Sequence, residues 1–175
     1  VGDKADILAV RFVSIDEALL LRDLSDFFLG VGAEREEGVG KLIREKRVKT
    51  LVTTHIALNP LARDQMFAGE LDIEFCPQGT WSERIRCGGA GLGGCLTPTG
   101  VGTEVENGKQ KLTINGKEYL LEMPLHADVS LIKATKADTA GNLYFHLNSR
   151  ATNSTMAFAG DFVIAEVEEI VEVGE

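Results

Sequence analysis

The sequence predicts an α/β domain with a largely parallel sheet and a local hairpin excursion. Three observations carry this expectation. β-branched runs alternate with short capped helices, a glycine-dense segment follows one of those helices, and an Asn-Gly pair separates two strand-like runs.

The elements follow in order. Ser14-Ile15-Asp16-Glu17 forms a capping box, in which Ser14 accepts from the Glu17 amide and Glu17 reaches back, and Ala18 to Leu21 supplies an apolar helical turn. After Gly40, Leu42, Ile43 and Lys46 fit a turn and a half of helix, and the β-branched run Val48 to Ile56 reads as a buried strand. Asn59 is placed to cap a further helix, with Pro60 at its first position and Gly69 at its stop. Leu71 to Cys76 reads as a strand. Thr80-Trp81-Ser82-Glu83 reads as a second capping box, opening a helix that runs to about Cys87 and stops at Gly88.

From Gly88 to Gly102 the chain carries seven glycines and one proline, which suits a loop whose backbone must approach something closely. Lys111 to Ile114 and Lys117 to Leu121 flank Asn115-Gly116, a strong hairpin signal because both turn positions need positive φ. Ala127 to Ala134, Leu143 to Leu147 and Phe162 to Glu166 read as strands, with a turn at Ala140-Gly141-Asn142. No repeat or linker divides the chain, so residues 1–175 are expected to form one domain.

Composition narrows the function classes. With 175 residues, 44% of them hydrophobic, the chain can bury a sizeable core. A net charge of −9 and a pI near 4.9 make nucleic acid and anionic membranes poor general partners. Cys76, Cys87 and Cys95 are too few and too spread out for a disulfide framework, which fits a reducing compartment. No apolar run approaches the roughly 20 residues of a membrane-spanning helix, and Val1 to Asp6 lacks the pattern of a secretory signal. A cytoplasmic location is expected, unless a targeting segment preceded Val1.

Several motifs fall away on inspection. Gly89-Ala90-Gly91-Leu92-Gly93-Gly94 fits G-x-G-x-x-G in letters, but it follows a helix and no helix clearly starts after it, so a dinucleotide site is not expected. Gly38-Val39-Gly40-Lys41-Leu42 lacks the spacing and the final Ser/Thr of a P-loop. His55, His126 and His146 show no ligand-like spacing, so no metal is expected and the histidines read as structural. No serine sits in a G-x-S-x-G elbow.

The residues alone leave the ligand unnamed. The run Cys76-Pro77-Gln78-Gly79-Thr80-Trp81-Ser82-Glu83-Arg84-Ile85-Arg86-Cys87-Gly88-Gly89-Ala90-Gly91, followed by Leu96-Thr97-Pro98-Thr99-Gly100-Val101-Gly102-Thr103, resembles the Pro-Gln-Gly-Thr segment and glycine loop of family I CoA-transferase alpha subunits. It looks most like those acting on acetoacetate with acetate or butyrate. Asn107-Gly108-Lys109-Gln110, Lys136-Ala137-Asp138, Gly141-Asn142-Leu143 and Ile164 to Val171 follow in the family's order, so the resemblance runs almost continuously from Gly38 to Glu175.

What the resemblance implies is specific. The fold would be an open α/β sheet with helices on both faces, as in certain sugar-phosphate isomerases. Coenzyme A would be a substrate, with no metal. A glutamate of a beta subunit would attack the acyl-CoA thioester, giving a mixed anhydride and then an enzyme–CoA thioester, and no catalytic residue would lie in this chain. The expected assembly is a hetero-oligomer of two alpha and two beta chains, with the chain alone an inactive monomer or homo-oligomer. Two alternatives stand beside this: an acyl-CoA hydrolase on the same scaffold, and a non-catalytic CoA-binding or assembly subunit.

The resemblance also assigns roles. Gln78 would face the substrate carboxylate, where its amide N–H can bond a carboxylate or oxyanion, against a reading as a turn-stabilising amide. Gly88, Gly89 and Gly91 would let the pantetheine or acyl group approach, against a reading as helix cap and turn. Phe28, Leu29, Gly30, Val31 and Gly32 would line the CoA thioester pocket if their loop is built as in the family, against a reading of Gly30 and Gly32 as ordinary turn glycines. Arg84 and Arg86, two apart on one helix, must point to different faces, so one of them packs or pairs internally. Glu106-Asn107-Gly108 matches the string around the beta-subunit nucleophile, but its polar surroundings mark it as a solvated loop and a decoy.

Residues 1–37 depart from the family pattern. Leu24-Ser25-Asp26-Phe27 stands where an apolar strand and two glycines are expected, Glu34 replaces a proline, and a helix and strand are absent between Arg35 and Glu36. Either this is a natural or engineered deletion or the given chain omits segments of the true polypeptide; omission is the favoured expectation, since deleting central strands would cost about 1–3 kcal/mol per orphaned backbone group. Arg150-Ala151-Thr152-Asn153-Ser154-Thr155 is a second departure, and no role is borrowed there.

Overall fold

The computed structural model describes residues 26–28 and 39–174. The Ser14 capping box and the Leu29 to Gly32 loop lie outside the described residues.

A three-residue strand β1 (Asp26–Phe28) is followed by helix α1 (Val39–Arg44), strand β2 (Thr50–Thr53), helix α2 (Pro60–Phe67) and strand β3 (Asp72–Phe75). The three strands form one parallel sheet in the order β1-β2-β3, with Phe28 opposite Val52 and Thr53 opposite Phe75. β2 is central, and its neighbouring residues serve opposite faces, as strand geometry requires. Leu51, fully buried, packs into one core with Leu42, Ile43, Ala62 and Leu71, whereas Val52 packs into a second core with Trp81, Ile85 and Ile132. Burying one such leucine contributes about 1.5–3 kcal/mol. Both faces of this sheet are therefore covered. The predicted strand Val48 to Ile56 shrinks to Thr50–Thr53, the residues in register with β3, of which Thr50 to Val52 also pair with β1.

The α2 boundaries match the sequence reading. The Ala62 N–H donates to Asn59 Oδ1 at 3.1 Å, Pro60 takes the first turn, and Gly69 adopts φ +72° after the end.

Helix α3 (Gln78–Gly89) corrects the second capping box. The helix starts two residues before Thr80, with Pro77 at the N-cap and no side-chain cap, and Thr80 is buried. Pro77 sets φ near the helical value and has no N–H to satisfy, so it can open the helix without the box. The end also lies beyond Gly88. Gly91, at φ +66°, donates to the Gly88 carbonyl at 3.2 Å, and Leu92 N–H reaches the Cys87 carbonyl at 2.9 Å, a Schellman closure.

Strands β4 (Cys95–Thr97), β5 (Lys111–Ile114) and β6 (Lys117–Glu122) form the antiparallel excursion, in the order β4-β6-β5. Asn115 and Gly116 take φ +50° and +77°, the expected hairpin turn. Strand β7 (Ala127–Asp138) pairs with β8 (Leu143–Tyr144) antiparallel and with β9 (Gly160–Val171) parallel, helix α4 (Asn153–Ala159) lying between the latter two in sequence. β7 and β9 are longer than predicted. β8 is shorter: its ladder with β7 stops at Tyr144, the His146 N–H donates to Thr135 Oγ1 at 3.0 Å, and Leu147, at φ +48°, opens a 3-10 turn. The α/β class, with parallel strands, flanking helices and a hairpin excursion, holds.

Candidate functional site

The carboxyl ends of parallel strands are where open α/β sheets place ligands. In this sheet those ends lead to Thr54-His55 after β2 and to Cys76-Pro77-Gln78 after β3. The Cys76 N–H donates to the Thr53 carbonyl at 2.9 Å, so the two turns leave the sheet side by side. Phe28 closes β1 at the same edge, while Leu29, Gly30, Val31 and Gly32 lie outside the described residues.

Gln78 is the first residue of α3, and its side chain is exposed. Among the described residues none bonds its amide. The first helical bond joins the Trp81 N–H to the Pro77 carbonyl at 2.8 Å, which leaves the N–H groups of Gln78, Gly79 and Thr80 without helical acceptors. The first turn holds no acidic side chain, and a Cβ at Gly79 would meet nothing within 4 Å. A positive helix end, free donors and an exposed amide can together hold a carboxylate or an oxyanion.

Arg84 anchors this helix from below. Its guanidinium pairs with Glu74 of β3, donates from Nε to the Met123 carbonyl at 2.8 Å, and lies 3.9 Å from Glu122. Burial opposes its charge, but hydrogen bonds to Glu74 and Cys76 outweigh that and raise its pKa. Arg86, on the exposed side, pairs with Glu83 at 2.8 Å. The two arginines thus divide as their spacing requires. Burial pushes the Cys76 thiol up, with Arg84 partly offsetting it, and burial together with Cys87 pushes Cys95 up to about 11. Neither is a ready thiolate.

The glycines after Cys87 differ in setting. A Cβ at Gly88 would overlap the Leu125 carbonyl, standing 2.7 Å from its carbon, and one at Gly89 would come within 2.6 Å of Phe158 Cβ. These two let α3 press against the chain itself. Gly91 instead faces open space. Glu106 accepts the Gly102 N–H at 2.6 Å and pairs with Lys111 at 2.9 Å, contacts that hold its carboxyl below the usual range. It ties a turn at the surface. Among the described residues no cluster of three His, Cys, Asp or Glu side chains could hold a metal. Among those residues no helix is long and apolar enough to cross a membrane. Sequence reasoning missed Thr54 and His55. Their place at the carboxyl end of the β-branched run Val48 to Ile56 was the available signal.

Comparison with known proteins fits this geometry. Residues 20–175 match the family described as coenzyme A transferase, and the chain belongs to that family. It is 50% identical over 161 residues to an Escherichia coli K12 protein named acetate CoA-transferase subunit alpha, covering 91% of this chain and 73% of the relative. It is 51% identical over 134 residues to the acetoacetyl-CoA:acetate/butyrate CoA transferase alpha subunit of Clostridium acetobutylicum, covering 77% of this chain and 62% of that one. Two crystal structures share the fold at a TM-score of 0.72. An acyl-CoA transferase of E. coli O157:H7, a thioester complex with CoA, is 21% identical, with 91% of this chain and 38% of that chain aligned. Glutaconate coenzyme A-transferase from Acidaminococcus fermentans is 18% identical, with 93% and 59% aligned. The chain thus spans about three fifths to three quarters of the two relatives by sequence.

Proposed function

We propose that this chain is the alpha subunit of a short-chain 3-oxoacid CoA-transferase. It works with a beta subunit to move coenzyme A between acetyl- or butyryl-CoA and acetoacetate, in a cytoplasmic hetero-oligomer of two chains of each kind. The observation that carries this reading is the 50% identity, across 91% of the chain, with a protein named as the alpha subunit of acetate CoA-transferase.

The chemistry divides between the chains. A beta-subunit glutamate attacks the thioester carbonyl and expels CoA as its thiolate, leaving a mixed anhydride. The thiolate then attacks the glutamyl carbonyl and releases the donor's carboxylate. The acceptor acid reverses the sequence and leaves as its own CoA thioester. This chain supplies one wall: Gln78, with the free donors that open α3, holds the carboxylate or its oxyanion, and Gly91 leaves room for the acyl or pantetheine group. Gly88 and Gly89 serve the same wall by seating α3 closely, and Phe28 to Gly32 would complete the CoA pocket.

The test is to assay the chain alone and with its beta subunit, then trap the glutamyl–CoA thioester with borohydride and map the tag by mass spectrometry. Transfer only in the mixture, with the tag on the beta chain, is expected. Transfer by the chain alone, or a tag on Glu106, overturns the reading. Acyl-CoA cleavage that needs no acceptor acid would favour a hydrolase.

A further inference from the structure

We propose that His55 is a second carboxylate-binding side chain of this site, acting beside Gln78 and oriented by Thr54. The proposal deepens the transferase reading and rests on it.

Position is the first argument. β2 and β3 run parallel and end together, and the Cys76 N–H to Thr53 carbonyl bond holds their exits side by side. His55 follows Thr53 by two residues, and Gln78 follows Phe75, the register partner of Thr53, by three. Both side chains are exposed, at the edge where α/β sheets bind ligands.

Rigidity is the second. Thr53, fully buried, donates from Oγ1 to the His55 carbonyl at 3.4 Å, fixing the backbone from one side. From the other, the Asn59 N–H donates to the Ile56 carbonyl at 3.0 Å, and Asn59 is itself buried as the cap of α2. The imidazole is held as well, because its Nδ1 lies 2.9 Å from Thr54 Oγ1. An exposed ring tied at one nitrogen keeps its direction, and ordering it costs a ligand little.

Chemistry is the third. Nδ1 is engaged, so Nε2 is the atom offered outward, and among the described residues it has no partner. When Thr54 donates to Nδ1, the ring proton sits on Nε2; in the imidazolium Nε2 carries a proton too. Both of these states present an N–H donor, whereas the neutral tautomer in which Nδ1–H donates to Thr54 leaves Nε2 an acceptor and is not the carboxylate-binding form. Combined with the Gln78 amide and the positive end of α3, it gives a planar carboxylate donors from two sides. Thr54 is then a positioning residue.

The experiment uses the assembled alpha–beta enzyme. His55→Ala is expected to raise KM for acetoacetate about tenfold or more while KM for the acyl-CoA stays within twofold. Thr54→Val should raise KM for the acid several-fold with His55 still present, and Thr54→Ser should restore it. Unchanged KM for the acid in His55→Ala would overturn the proposal, as would an equal loss for both substrates. A second readout does not need turnover: with ¹⁵N-histidine labelling, acetoacetate should shift the His55 Nε2 resonance saturably, and an unmoved resonance would overturn the proposal. Absence of transfer in the wild-type complex would instead strike the transferase reading.

Discussion

Lys109 Nζ lies 2.7 Å from Glu122 Oε1, and this carboxylate, only 1% exposed, also faces Arg84 Nε at 3.9 Å. One buried anion thus joins the loop before β5, the end of β6 and the helix that presents Gln78. Glu122→Ala leaves Arg84 and Lys109 without their shared counter-charge, and breaking such a pair costs about 3 kcal/mol. Arg84 keeps Glu74, and Lys109 is partly open to water, so the lower end of the usual range applies. A melting temperature lower by roughly 6–12 °C is expected by calorimetry. A fall of under about 2 °C would show that the network contributes little.

Gly88 and Gly79 occupy the same helix and should respond oppositely to alanine. At Gly88 the new methyl meets the Leu125 carbonyl, which is backbone and cannot rotate away, so Gly88→Ala should lose about 1–3 kcal/mol. At Gly79 nothing lies within 4 Å, and Gly79→Ala should gain about 0.4–1 kcal/mol by restricting the unfolded chain. Urea midpoints with unchanged m-values would measure both. Equal effects at the two sites would contradict the packing described for Gly88.

Asp138 gathers three donors: the N–H groups of Ala140 and Asn142 at 3.0 and 2.8 Å, and Asn142 Nδ2 at 2.8 Å. The Asn142 side chain, followed by these backbone donors, holds the carboxyl below the ordinary range. A depressed folded pKa contributes stability that is fully present above the unfolded value, about 3.9, and is lost as pH falls through the lower folded value. Asp138→Asn should therefore be less stable than wild type at pH 7, with the gap closing as pH falls below the unfolded value and through the lower folded one. A gap that is constant from pH 7 to pH 2 would show that the charge is irrelevant.

Gln78→Ala, in the assembled enzyme, should lower turnover about 10- to 1000-fold, the scale of losing a positioned oxyanion donor. The melting temperature should hold, because the exposed amide has no partner among the described residues. Wild-type kinetics with a lowered melting temperature would support the turn-stabilising role instead.

Where a feature depends on a few adjacent residues, the sequence determined it. Asn59-Pro60 opens α2 and Asn115-Gly116 turns the hairpin because capping geometry and positive φ are settled within one turn of chain. The alternation of strands and helices was legible for the same reason. The Thr80 capping box failed on local grounds too, since Pro77 offered an earlier helix start that competed with it.

What only the tertiary structure decided involves partners far apart in sequence. Spacing showed that Arg84 and Arg86 diverge, but only the fold brought Glu74, Met123 and Glu122 to Arg84 and left Arg86 outside. Gly88 and Gly89 looked like loop glycines until Leu125 and Phe158 were seen where their Cβ atoms would stand. His55 became a candidate because a bond from Cys76 to Thr53 lays two strand ends together. Helix caps and turns are satisfied by short-range sterics and hydrogen bonds, which the sequence carries directly. Burial, ion pairing and a shared site require surfaces that meet only when the chain closes on itself, and no local pattern encodes which surfaces those are.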